Sequence, residues 1–355
     1  MMETDRVDER TIMFSRAELV PGTERYETYY REHPEHLPLD LKFRSLPGLL
    51  NPSAPYFQPL IFAAAEAAFF TTGILADRVD GEVNPERTDL SSARVLAFIR
   101  QWARDMGVHS IGVTSLKAEH LYSVGGRKRN YGNPVSLSHT KAIVFTVEMD
   151  HRRVSAAPRA PIILESSYQY LHAGTIAVQI ASMLRNLGFS ARAHIDSNYL
   201  VRCPQIARDA GLGEIGRMSL LMTPRLGPRV RIGVVTTELD LPENIRKEIP
   251  GLRKFCELCK KCADNCPAGA ISSEPGTPGR DWYIDQTACY TYWCTCGTDC
   301  GRCVSVCPYA HKDNLIHNSI RWIIGRIQFL QRIALYFDHL IYGKAPSLKK
   351  LPEWM

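Results

Sequence analysis

Cys256-Glu-Leu-Cys259-Lys-Lys-Cys262-Ala-Asp-Asn-Cys266-Pro267 decides how the rest of this chain is read. Three cysteines at intervals of three, then a fourth just before proline, form the run by which bacterial ferredoxins hold one four-iron cluster and lend a ligand to another. Cys300-x2-Cys303-x3-Cys307-Pro308 supplies the matching half. Two such clusters need eight soft thiolates. The two runs contain seven, which makes Cys289 the natural eighth. The expected sets are Cys256, Cys259, Cys262 and Cys307 for cluster one, and Cys266, Cys289, Cys300 and Cys303 for cluster two. Zinc sites do not use this cadence. Cys294 and Cys296 are left over, either as alternatives to Cys289 or as bystanders.

Outward from these runs, the distribution of cysteine is itself informative. Of 11 cysteines, ten lie between Cys256 and Cys307, and Cys203 stands alone. A disulfide scaffold would spread them through a small secreted chain. At 355 residues the chain is long enough for two or three domains and a proper core. An apolar fraction of 45% and a charged fraction of 23% exclude a largely disordered protein. The net charge of +6 is not gathered into a block, so it leans toward anionic partners without marking a nucleic-acid binder. A membrane span needs about 20 apolar residues in a row. Leu60 to Phe70 is cut by Glu66, and Ile320 to Leu340 by Arg321, Arg326, Arg332 and Asp338. The N-terminus has no apolar signal core and no twin arginine, so the expected location is the cytoplasm.

Periodicity divides the chain into four regions. Residues 1–85 read as irregular, broken by Pro47, Pro52, Pro55 and Pro59. Residues 86–248 read as an α/β domain, 249–312 as the two-cluster module and 313–355 as a helical tail packed on the body. In the α/β domain, Thr88 or Asp89 can cap a helix with Val95, Phe98, Ile99, Trp102 and Met106 on one face. A second helix is expected over Ser167 to Leu187. Strands are expected at Val108–Val113, Ala142–Val147, Phe189–His194 and Val230–Thr237. Gly211-Leu212-Gly213-Glu-Ile-Gly216 matches a dinucleotide fingerprint, but that motif must follow a strand. Here a helical turn, Gln205 to Ala210, precedes it. A loop whose backbone approaches another flat cofactor is the better reading.

At this point the residues resemble a known family. The 255–267 run, Ala210-Gly-Leu-Gly-Glu214, Arg217-Met218, Thr223-Pro224, Gly227-Pro228-x-Val230-Arg231, Tyr292-Trp293, Ile316-His317 and Trp322 occur in one order. They look like corrinoid-dependent reductive dehalogenases from about Asn84 to Gly343, and less closely like epoxyqueuosine reductases. The resemblance implies a nitroreductase-like α/β (α+β) domain holding base-off cobalamin, with cluster two near the cobalt. It implies reduction to Co(I) and removal of halogen from an organohalide. It places the proton donor on Tyr170, its helper on Arg231 and a third pocket residue on Asn198, with Gly211, Leu212 and Gly213 against the corrinoid. Arg229 shares the strand face of Arg231 and is a competitor for the helper's role. Chemically, a neutral phenol can give up a proton if a guanidinium stabilises the resulting anion. Without a twin-arginine leader, and with Asp150 to Ser167 looking trimmed, the expected electron donor is a soluble ferredoxin, flavodoxin or reductase. Other readings remain: a corrinoid reductase of a non-halogenated substrate, as in epoxyqueuosine reduction, or a two-cluster electron carrier. No nucleic-acid partner is expected, since no basic face is concentrated enough.

Overall fold

The computed structural model describes residues 6–196, 198–274 and 282–348. Four helices precede residue 85: α1 (Met13–Ala17), α2 (Glu24–Glu32), α3 (Leu37–Arg44) and α4 (Pro59–Leu75). This corrects the expectation of an irregular region. Pro59 sits in the first turn of α4, where its missing N–H costs nothing and its fixed φ favours the helix. α4 buries Ile61, Phe62 and Ala65 against Ala160 and Ile163.

α5 (Ser92–Asp105) is capped by Ser91 rather than Thr88 or Asp89. The Thr88 N–H is taken by the carbonyl of Leu187, which ties that stretch to the far side of the domain. Next come β1 (Val108–Ser115), β2 (Lys141–Glu148), α6 (His151–Val154) and α7 (Pro161–Asn186). α7 begins six residues before the expected Ser167, with Pro161 in its first turn, where proline is well tolerated. Tyr170 therefore lies well inside the helix and not at its start. β3 (Ala191–His194), α8 (Cys203–Asp209), the short pair β4 (Glu214–Ile215) and β5 (Leu221–Met222), and β6 (Val230–Thr237) complete the domain.

The main sheet has the order β1-β2-β6-β3, and each pairing is antiparallel. β2 and β6 are central and largely buried, which is why they read as continuous apolar runs. Ile176, Ala177, Ile180 and Leu184 of α7 pack beneath the sheet with Val95 and Ile99 of α5. Gly233 in β6 is required by contact: a Cβ there would lie 2.2 Å from the Phe145 ring.

The cysteine module is made of α9 (Leu252–Cys259), α10 (Lys261–Asp264), α11 (Gln286–Cys296) and α12 (Arg302–Ser305). Buried arginines fasten it to the α/β domain. Arg217 donates to the carbonyls of Cys256, Ser272 and Glu274. Arg229 donates to those of Met149 and Ala310. The tail expected as one helix is two, α13 (Leu315–Arg326) and α14 (Gln328–Tyr342), separated where Ile327 leaves helical geometry (φ −115°, ψ 92°).

Candidate functional site

Cys256, Cys259, Cys262 and Cys307 line one cavity, together with Met218, Met222, Phe255 and Tyr309. α9 presents Cys256 and Cys259 three residues apart, on one face. Lys260, in the left-handed region at φ 54°, then turns the chain back so that Cys262 on α10 joins them. Burial, reinforced by the neighbouring thiols, pushes Cys262 up to about 12. Four thiols set together, Cys262 and Cys307 buried and Cys256 and Cys259 half-buried, suit a group whose positive charge favours their thiolates.

The second set is grouped in the same way. Burial raises Cys303, and the thiols that raise it further are Cys300, Cys289, Cys262 and Cys266. Cys289 is raised by burial and then by Cys266. The inclusion of Cys262 around Cys303 shows that the two sets adjoin. Cys294 pairs with the Tyr290 hydroxyl, and the Cys296 thiol reaches the carbonyls of Trp293 (3.7 Å) and Thr298 (3.5 Å). Cys296 also lies near enough to Cys300 to raise it. Both donor sets fit four-iron clusters in number, softness and seclusion.

Tyr170 and Arg231 meet beside this second set. The Arg231 guanidinium lies 4.8 Å from the centre of the Tyr170 ring. It is held from behind by Ser166 Oγ (2.7 Å) and Asp299 Oδ2 (3.3 Å), and reaches Met149 Sδ (3.3 Å). Ser166, one turn before Tyr170 on α7, also donates to Asp299. Asp299 immediately precedes Cys300. Arg231 Nε and Asp299 Oδ1 are buried without a protein partner. Burial raises the Tyr170 phenol, and Arg231 works against that rise. Burial also raises the Asp299 carboxyl, again with Arg231 opposing. Arg229 is instead spent on Glu148 (2.5 Å) and on backbone carbonyls, so Arg231 is the arginine at the tyrosine.

Tyr122, Arg127, Tyr170, Tyr199 and Cys203 keep intermediate accessible area, although burial is the largest influence on the ionisation of each. Side chains that are deep in the protein yet bare on one side line a recess. The Arg127 guanidinium lies 5.8 Å from the centre of the Tyr199 ring, and the Tyr199 hydroxyl donates to Asp196 (2.9 Å). Arg127 is held at the wall by ion pairs, Nε to Glu18 (3.4 Å) and Nη1 to Asp196 (3.6 Å). A recess walled by aromatic faces and an arginine, opening on Tyr170, fits a large flat cofactor. Sequence reasoning missed Tyr122, Arg127 and Tyr199, which stand on connections and belong to no spacing pattern.

Asn198 is placed differently. Its amide oxygen accepts from Arg192 (2.7 Å) and Asn130 (2.9 Å), and its amide nitrogen donates to the Ala76 carbonyl (2.7 Å). This amide joins β3 to the end of α4, and it makes no hydrogen bond to Tyr170 or Arg231 among the described residues. The glycine loop also has an internal account. A Cβ on Gly211 (φ +75°) would lie 2.8 Å from the Ile245 carbonyl oxygen, and one on Gly213 would lie 2.2 Å from that of Met222. Leu212 is buried among Ala210, Leu221 and Leu226. The loop's close approaches are therefore to the chain's own backbone. α8 precedes it, so it does not open a dinucleotide unit.

Comparison with known proteins bears on the cysteine module and on the fold. Residues 255–311 match the model of the 4Fe-4S dicluster domain. The tetrachloroethene reductive dehalogenase of Desulfitobacterium hafniense is 37% identical over 213 residues, covering 55% of this chain and 37% of that relative. That of Sulfurospirillum multivorans is 31% identical over 220 residues, covering 59% of this chain and 43% of the relative. The epoxyqueuosine reductase of Francisella cf. novicida is a more distant relative, 34% identical over 105 residues. Among solved structures, the catabolic reductive dehalogenase NpRdhA superposes with a TM-score of 0.74 at 23% identity, covering 96% of this chain and 49% of its own. That protein was also solved with 3-bromo-4-hydroxybenzoic acid. Another reductive dehalogenase structure, described in terms of B12-dependent dehalogenation, superposes at 0.73 with 24% identity, covering 96% of this chain and 48% of its own. The resemblance to reductive dehalogenases thus holds in sequence over about half the chain, and in fold over nearly all of it. The chain spans less than half the length of the relatives it matches.

Proposed function

We propose that this protein is a cobalamin-dependent reductive dehalogenase, replacing halogen by hydrogen in an organohalide, with electrons entering through two 4Fe–4S clusters. The observation that carries this reading is the Tyr170–Arg231 pair, set in a deep recess and joined through Asp299 to Cys300. Cys256, Cys259, Cys262 and Cys307 would hold cluster one, and Cys266, Cys289, Cys300 and Cys303 cluster two. The clusters supply single electrons, and cobalamin in the recess supplies a strongly reducing cobalt centre able to cleave a carbon–halogen bond.

The rest is done by side chains. Tyr170 Oη holds the proton that completes the product, and burial keeps the phenol neutral over the working pH range. When that proton leaves, the guanidinium of Arg231 stabilises the phenolate. Ser166 and Asp299 both hold Arg231 Nη2, which fixes the guanidinium over the Tyr170 ring and leaves Nε without a hydrogen-bonding protein partner. Tyr199, Tyr122 and Arg127 shape the opposite wall and exclude water.

A small halogenated aromatic is the first substrate class to try, given the ligand of the NpRdhA complex. A soluble low-potential ferredoxin, flavodoxin or reductase is the proposed donor, drawn by the positive surface. The test is an anaerobic titration of cluster-reconstituted protein with hydroxocobalamin, followed by cobalt(II) EPR and halide release. A stoichiometric base-off signal and corrinoid-dependent halide support the proposal. No corrinoid binding would overturn it.

A further inference from the structure

The C-terminal hairpin is built inside out. On α14, Phe329, Ile333, Phe337 and Leu340 recur at helical spacing and are 71, 47, 52 and 68% exposed. The residues turned toward the body are Gln331, Leu335 and Asp338. α13 repeats the pattern, with Ile316 and Ile320 exposed while Arg321 is buried.

The inward polar groups are matched, so the helices cannot simply be rotated. Gln331 Nε2 donates to the carbonyls of Gly251 (3.0 Å) and Ile324 (2.8 Å). Asp338 accepts from Lys261 (2.5 Å) and His311 (2.6 Å). Arg321 donates to Asn318 (2.7 Å) and to the His311 carbonyl (2.5 Å). Turning either helix over to bury the apolar stripe would carry these groups out to water and strand their partners, Lys261 and the His311 carbonyl among them, in the interior. An apolar face this extensive on a chain in water marks a contact surface.

We propose that this hairpin seats on an anionic lipid surface, lying in the interface without crossing it. Charge selects that occupant. Asp338 is the only carboxylate between Leu315 and Leu348, and it is buried in its pair with Lys261. The exposed charges there are Arg326, Arg332 and Lys344. Arg326 lies 4.4 Å over the half-exposed Trp322 ring, which puts an aromatic and a cation together where a headgroup region would meet them. Aromatic and aliphatic residues on one side with arginine alongside are the composition of an interfacial helix. A second copy of the chain would set these arginines against their own counterparts with no acid to pair them. A transient redox protein forms a small contact, no more apolar than ordinary protein surface. No described helix is long and apolar enough to cross a membrane, which agrees with a seated helix. The proposal is independent of the dehalogenase reading.

The test is flotation of the cluster-loaded full chain with vesicles of equal parts phosphatidylglycerol and phosphatidylcholine, and with phosphatidylcholine alone. The expected result is binding to the anionic vesicles that weakens in high salt and is about tenfold weaker on phosphatidylcholine. The double variant Phe329→Asp/Phe337→Asp should lose flotation while keeping the iron content and circular dichroism of the parent. Arg326→Ala/Arg332→Ala should lose the preference for anionic vesicles. Failure of the parent chain to float, or flotation unchanged in the aspartate variant, overturns the proposal. So does a concentration-dependent dimer in sedimentation velocity, abolished by the same variant, with no flotation.

Discussion

The cysteine module and the recess beside it are assembled on opposite plans. The eight expected cluster ligands lie within 52 consecutive residues, Cys256 to Cys307, at intervals that a single helical turn and a left-handed residue can satisfy. The recess gathers Tyr122 and Arg127 from the connection after β1, Tyr170 from α7, Tyr199 from the connection after β3, Cys203 from the start of α8, and Arg231 from β6. A metal cluster dictates the distances between its own ligands, so its chemistry is written locally. A proton donor and its cation need only meet, and the register of a sheet can bring them together from any separation in sequence.

Replacement within each plan should fail differently. The largest effect is expected from Cys303→Ser, which removes a cluster-two ligand. Iron content should fall from about eight to about four per chain, and turnover should be abolished, while Cys294→Ser leaves iron unchanged. Iron analysis and EPR on anaerobically purified protein decide the matter. Equal iron loss in both variants would show that the module's local spacing does not select its ligands.

Tyr170→Phe should lower turnover by about 10²–10⁴-fold with both clusters and corrinoid affinity retained. Retained turnover in that variant would remove the phenol from the mechanism. The raised phenol also predicts a rate that does not fall on the alkaline side before about pH 10, the ordinary tyrosine range. Since Arg231 opposes the rise, Arg231→Met should carry any alkaline break still higher while slowing turnover. A break near neutrality in the parent enzyme would assign the proton to a different group.

Arg231→Met has a second consequence, because it leaves Asp299 buried with Ser166 as its remaining hydrogen-bonding side chain. A loss of about 3 kcal/mol in denaturant titration is expected, partly recovered in Arg231→Met/Asp299→Asn. The smallest functional effect should come from Asn198→Ala. Its amide bonds run to Arg192, Asn130 and Ala76, so stability should drop by about 1–3 kcal/mol with the Michaelis constant nearly unchanged. A raised Michaelis constant at unchanged stability would return Asn198 to the pocket.

These differences follow the limits of what the sequence could show. β6 was legible to the residue because Val230–Thr237 is bounded by turn residues and buried on both faces. The starts of α4 and α7 were obscured because Pro59 and Pro161 look alike whether they break a helix or begin one. Tyr170 and Arg231 were named through family resemblance, and no periodicity in the chain pairs them. Asn198 came from the same resemblance, but its three structural bonds depend on Arg192, Asn130 and Ala76, none of which a motif would mark. The tail was legible as helical but not in its direction, since a helix does not by itself say which side faces in. Gln331 and Asp338 settle that through partners, Gly251 and Lys261, about 80 residues upstream.

The placing of Arg231 on β6, and of Arg229 immediately before that strand, bears on how this protein could change over evolutionary time. One arginine grips the Ala310 carbonyl just past Cys307, and the other grips Asp299 just before Cys300. The start of β6 and the residue leading into it thereby index both ends of one cysteine run against the proton-donating wall. A lineage that altered β6 to admit a new substrate would misalign its electron supply in the same step. The walls bearing Tyr122 and Tyr199 carry no such duty, so substrate range is free to diverge there while the inherited frame stays fixed.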